Sequence, residues 1–96
     1  MKYFAVSYDY NPNNPEIAKA RPAHREFTAQ LFEEGTIIAT GPLTDSKGGA
    51  LIVLQFEDEF VEVAQVIEIM DQDPFYTEGA VTARAFREWN PVINSF

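Results

Sequence analysis

From Lys2 to Tyr8 the chain alternates, and the run is rich in aromatic and β-branched residues. A period of two is that of a strand with one buried face, so Lys2–Tyr8 is expected to be the first strand. Asp9 to Pro15 holds three Asn and two Pro, a loop composition. Pro15 can begin a short helical turn with Asn14 as its cap. Pro22 has no N–H, and its ring clashes with the turn before it. The main helix is therefore expected to begin near Pro22, as a first-turn residue, and to run to Glu34, with Gly35 ending it. Within it Ala23, Phe27 and Leu31 recur at four-residue spacing and predict one apolar stripe.

Thr36 to Thr40 is rich in β-formers and reads as the second strand, which Gly41-Pro42 ends or bends. Residues 44–49 carry turn chemistry. Ala50 to Phe56 is nearly all apolar, as a central strand covered on both faces would be. Glu57-Asp58-Glu59 places negative charge where a helix N-terminus favours it. Val63, Val66, Ile67 and Met70 continue that helix to about Asp71. Pro74 disfavours the helical region at Asp73, so the helix breaks there, and one further short turn can follow to Gly79. Ala80 to Trp89 predicts the fourth strand, Asn90-Pro91 ends it, and Val92 to Phe96 is a largely apolar tail. The order βαββαβ is the split βαβ pattern of the ferredoxin-like α+β fold. It implies a four-stranded antiparallel sheet with two helices on one face. Strands three and four carry apolar residues of both parities: Leu51, Ile52, Val53 and Leu54, then Val81, Ala83, Phe86 and Trp89. The second sheet face therefore needs a cover. A second copy of the sheet is the simplest one, and a homodimer is expected.

Length and charge narrow the picture. The 96 residues fit one domain spanning 1–96, with a thin core. A net charge of −8, from 15 acids against 7 Lys and Arg, argues against nucleic acid, whose phosphates need clustered cations. The acidity otherwise reads as solubility, or as attraction for a cationic partner. There is no cysteine, so disulfides and thiolate chemistry are excluded. The N-terminus does not resemble a signal peptide, and no apolar run approaches the ~20 residues of a membrane helix. No membrane association is expected, and the cytoplasm is the expected location.

Few residues can carry chemistry. His24 is the only histidine and sits in Arg21-Pro22-Ala23-His24-Arg25. In the first turn of a helix it reads as a capping or surface residue, or as a general base whose neutral form the dipole favours. Asp73, where a helix breaks ahead of Pro74 and Phe75, is either a cap or a carboxylate that orients an imidazole. Gly41-Pro42 is a bend, or a place where a ligand approaches the backbone. Tyr8, Tyr10, Phe75 and Trp89 belong to the core or to a pocket wall. Arg21 and Arg25 either face solvent or hold a carboxylate or phenolate. One histidine and no cysteine make a zinc site improbable, and no metal is expected. Gly48-Gly49 fits neither phosphate-binding fingerprint, and no cofactor is expected.

Taken in order, Arg21-Pro22-Ala23-His24, Gly41-Pro42-Leu43, the Gly48-Gly49 loop and Asp73-Pro74-Phe75 ahead of Gly79-Ala80-Val81 resemble the YciI-like (YCII-related) family along nearly the whole chain. That family is similar in fold to muconolactone isomerases, a dimeric ferredoxin-like α/β barrel. The resemblance implies a site built on a histidine and an aspartate, which fall here on His24 and Asp73. One type of member removes chloride from a chlorinated hydroxyquinol with such a pair. Arg21, Gly41, Pro42 and Phe75 would then line the cleft that holds a small-molecule ligand. The short loop after Gly41-Pro42 and the ending Glu88-Trp89-Asn90-Pro91 depart from the pattern. The expected function is acid–base chemistry of isomerase or lyase type on a small phenolic, lactone or enolisable compound. The rival is a non-catalytic barrel that binds or senses a small molecule.

Overall fold

β1 (Lys2–Asp9), α1 (Pro15–Glu33), β2 (Ile37–Pro42), β3 (Ala50–Phe56), α2 (Val63–Met70), α3 (Pro74–Thr77) and β4 (Ala83–Trp89) follow one another in a computed structural model that describes residues 1–96. The sheet order is β2-β3-β1-β4, and every pairing is antiparallel. β1 and β2, joined through α1, are thus separated by β3, the arrangement of the ferredoxin-like α+β fold. The alternation in β1 sends Phe4, Val6 and Tyr8 to one face, where Ile52 and Leu54 of β3 join them. Ile17 and Ala20 of α1, Val66 and Met70 of α2, and Phe75 of α3 close over this face in one buried cluster.

The main helix departs from expectation. It starts at Pro15, and Pro22 lies inside it. Asn14 caps it by accepting from the Glu16 N–H, and Pro15 fills the first turn, where no N–H is needed. The bond that Pro22 cannot make would go to the carbonyl of Ala18, an exposed residue. Burial of Ile17 and Ala20 then carries the helix across the proline. Ala23, expected on the apolar stripe, is exposed; Ile17, Ala20 and Thr28 are the buried positions.

Three smaller boundaries differ. β2 runs past Thr40: Gly41 and Pro42 still pair with Leu51 and Ala50, which an edge strand tolerates, and the strand ends at Pro42. Glu57-Asp58-Glu59 does not start a helix. Asp58 instead caps a turn by accepting from the Phe60 N–H, and α2 begins only after Glu62, whose N–H donates to the Gln65 side chain. β4 begins at Ala83 rather than Ala80, because the N–H groups of Ala80 and Val81 donate to the Phe75 carbonyl and close α3.

A register shift between Ile37 and Ala39 puts one extra residue in β2. It turns Thr40 and Pro42 to the helix side, opposite Ile52 and Ala50, and leaves Ala39 and Gly41 on the other. That other face carries Ala5 and Ser7 of β1, Leu51 and Val53 of β3, and Ala85 and Trp89 of β4. No helix of the chain covers it. Phe96 reaches only its margin, with ring centroids 6.0 Å from Tyr3 and 6.2 Å from Trp89.

Candidate active site

Asp73 sits where α2 gives way to α3. It is the N-cap of α3, its Oδ1 accepting from the Phe75 N–H at 3.0 Å, with Pro74 in the first turn. The side chain is fully buried. Two further donors converge on it. The Tyr8 hydroxyl donates to Oδ2 at 2.8 Å, and Nδ1 of His24 lies 2.8 Å from Oδ1 and 3.0 Å from Oδ2. A carboxylate has no proton to offer, so Nδ1 carries a hydrogen, and in the neutral ring Nε2 keeps its lone pair. The His24 ring lies flat on Phe75, with centroids 3.8 Å apart and planes 3° apart, which fixes its orientation.

His24 was expected in the first turn of its helix. It lies well inside α1, because the helix begins at Pro15. A helix dipole acts only near its ends, so the orientation and tautomer of the ring rest on Asp73.

Tyr8 holds the far side of the carboxylate. Burial, and then the charge of Asp73, push its phenol well above the ordinary value, while Arg84 pulls in the opposite direction. The hydroxyl therefore stays neutral and remains a donor. Arg84 is the cross-strand partner of Tyr8. Its Nη2 donates to Asp71 at 2.6 Å, and its guanidinium lies 3.5 Å from the Tyr76 ring centroid.

A cleft of about 150 Å³ opens above this network. Arg21, His24, Arg25 and Thr28, at i, i+3, i+4 and i+7 on α1, form one wall. Thr40, Gly41 and Pro42 of β2 form another, and Tyr10, Ala50 and Phe75 complete it. The loop before β3 passes close to the Tyr10 backbone. Gly48 has φ +77°, and a Cβ on it would lie 2.8 Å from the Tyr10 carbonyl oxygen. Burial raises the Tyr10 phenol, and the Arg21 charge offsets part of that rise.

The structure thus gathers Arg21, His24, Gly41, Pro42 and Phe75 around one cleft and places Asp73 directly beneath His24. Trp89 is not part of it; it lies on the open sheet face. The residue that the sequence reading did not assign is Tyr8 as a donor to Asp73. The strand alternation points Tyr8 inward, but nothing in the sequence links it to a carboxylate 65 positions away. No three His, Cys, Asp or Glu side chains gather as a metal-binding set. No helix is long and apolar enough to cross a membrane.

The family model for the YCII-related domain matches residues 1–90. The chain belongs to the YCII-related family. A comparison with curated protein sequences finds no match. Among solved structures, the YCII-related chain is similar to 5-chloro-2-hydroxyhydroquinone dehydrochlorinase from Burkholderia phenoliruptrix AC1100, in complex with 2,5-dihydroxybenzoquinone. The TM-score is 0.72 at 20% identity, over 92% of this chain and 93% of that one. It is also similar to an antibiotic biosynthesis monooxygenase, with TM-score 0.59 and 14% identity over 94% and 97% of the two chains. A protein from Agrobacterium tumefaciens matches at TM-score 0.60 and 8% identity over 95% and 93%. At these identities the likeness is one of fold, and it agrees with the ferredoxin-like architecture.

Proposed function

We propose that this YCII-related protein is a small-molecule enzyme in which His24, oriented by Asp73, performs acid–base chemistry of isomerase or lyase type on a small phenolic, lactone or otherwise enolisable compound. One observation carries the reading. Nδ1 of His24 is committed to a fully buried carboxylate, so the nitrogen left for a ligand is Nε2, which in the neutral ring is the basic one, on a ring that lines the cleft. Nε2 takes a proton from an acidic O–H or C–H of the substrate, and Asp73 stabilises the imidazolium that forms. In an isomerisation the proton returns at another atom. In an elimination the electron pair released by deprotonation expels the leaving group with its own bonding pair. A placed base contributes about 10²–10⁴-fold, enough for a substrate that is already activated. The structural neighbour named as a dehydrochlorinase, bound to a dihydroxybenzoquinone, supports this class of chemistry.

The same proposal includes a homodimer joined through the open sheet face, where Leu51 is 45% exposed and no helix packs. The test begins with a thermal-shift screen of phenols, lactones and keto acids. A ligand at a hundred times its dissociation constant adds about 2.7 kcal/mol to stability. Compounds that bind are then assayed for turnover. His24→Ala is expected to keep the fold by circular dichroism and to abolish turnover. A His24→Ala variant that turns the substrate over at the parent rate would make the pair structural and the protein a binding barrel.

A further inference from the structure

Acid residues outnumber Lys and Arg 15 to 7 in this chain, yet no carboxylate lines the cleft. Two arginines do. Arg21 and Arg25 stand on either side of His24 on one face of α1, and neither enters an ion pair anywhere in the structure. An arginine without a carboxylate partner, in so acidic a chain, leaves a fork of donors matched to an oxyanion. The local field supports the same reading, because the Arg21 charge is close enough to act on the Tyr10 hydroxyl across the cleft. Asp73 is fully buried below the His24 ring and has three donors of its own. It does not compete for the arginines.

Size narrows the ligand further. The cleft offers about 150 Å³. A cavity of about 150 Å³ accommodates a single benzene ring. Thr28 adds no donor, because its hydroxyl donates to the carbonyls of His24 and Arg25 within the helix.

We infer that the cleft selects flat, single-ring monoanions, a ring carboxylate or an acidic phenol as its phenolate, with the anionic oxygen against Arg21 and Arg25 and the rest of the ring toward Nε2 of His24. The inference rests on the acid–base reading for its site, and on the two arginines for its charge preference.

Isothermal titration calorimetry with benzoate, 2,5-dihydroxybenzoate, benzamide, benzyl alcohol and 2-naphthoate tests it. The single-ring anions are expected to bind at least about tenfold more tightly than the neutral rings and than the two-ring anion. Arg21→Gln and Arg25→Gln should each weaken the anions by about tenfold, and the double variant should lose the charge preference altogether. Arg21→Lys/Arg25→Lys should keep part of the preference, which separates charge from misfolding. Added salt should weaken the anions and leave the neutral rings unchanged. Equal binding of anions and neutral rings, a preference that survives in the double Gln variant, or no saturable binding of the anions up to about 10 mM would overturn the inference. Anion binding that persists in His24→Ala while no compound is ever turned over would sink the acid–base reading and leave this inference standing. Turnover confined to neutral substrates would do the reverse.

Discussion

Replacing Tyr8 by Phe removes one oxygen from the interior and leaves the rest of the ring in place. That oxygen is buried and donates to Oδ2 of Asp73 at 2.8 Å. A hydrogen bond to a charged group contributes about 1.5–3 kcal/mol. Nδ1 of His24 lies 3.0 Å from the same oxygen, so Oδ2 is not left bare, and the lower end of that range applies. A loss of about 1.5 kcal/mol in a chain of this size lowers Tm by about 6–12 °C. Thermal and urea unfolding followed by circular dichroism measures it, at one protein concentration so that assembly does not enter. Alkaline pH gives a second reading of the same bond. Burial and the Asp73 charge raise the folded phenol above its unfolded value. The stability tied to the neutral hydroxyl is therefore present in full below the unfolded value of about 10, and is lost as pH rises through the folded value. The parent protein should lose stability above about pH 10 more steeply than Tyr8→Phe. A variant that unfolds within about 0.5 kcal/mol of the parent, with the same alkaline slope, would refute the claim that Tyr8 supports Asp73.

Asp73→Asn must place an amide nitrogen among the Tyr8, His24 and Phe75 donors; a loss of about 2–4 kcal/mol in urea unfolding is expected, with turnover lowered by about 10²–10⁴-fold. Gly49→Ala puts a Cβ 2.5 Å from the Tyr8 carbonyl oxygen at φ +95°, and should cost at least about 2 kcal/mol by the same measurement. Leu51→Glu places a charge on the open sheet face; light scattering should give a dimer mass for the parent and a monomer mass for the variant.

The strand pattern was legible because each strand announces itself locally. Lys2–Tyr8 alternates, and Ala50–Phe56 is a continuous apolar run between turn residues, so the order βαββαβ followed without tertiary information. The start of α1 was not legible. Pro22 is costly in a helix interior by any local rule, and only the burial of Ile17 and Ala20 against the sheet outweighs it. Glu57-Asp58-Glu59 misled for a related reason: an acidic run suits a helix N-terminus and a capped turn equally well, and Asp58 takes the turn. At the site, His24 and Asp73 were named by residue type and by family resemblance. What no local pattern contains is how their partners converge. The bulge in β2 that brings Thr40 and Pro42 to the cleft, and the Tyr8 hydroxyl beneath Asp73, are products of pairing between distant segments.

His24 is the only histidine, so its ring nitrogens give an unassigned-free pair of signals in a long-range proton–nitrogen NMR spectrum of the labelled protein. Asp73 fixes a proton on Nδ1 and, in the neutral ring, leaves Nε2 bare on a side chain that lines the cleft. At neutral pH the spectrum should therefore contain one protonated, pyrrole-type Nδ1 and one unprotonated, pyridine-type Nε2, and Asp73→Asn should mix the two forms. A parent spectrum with the proton on Nε2, or with the rapid averaging of a ring free in water, would contradict it.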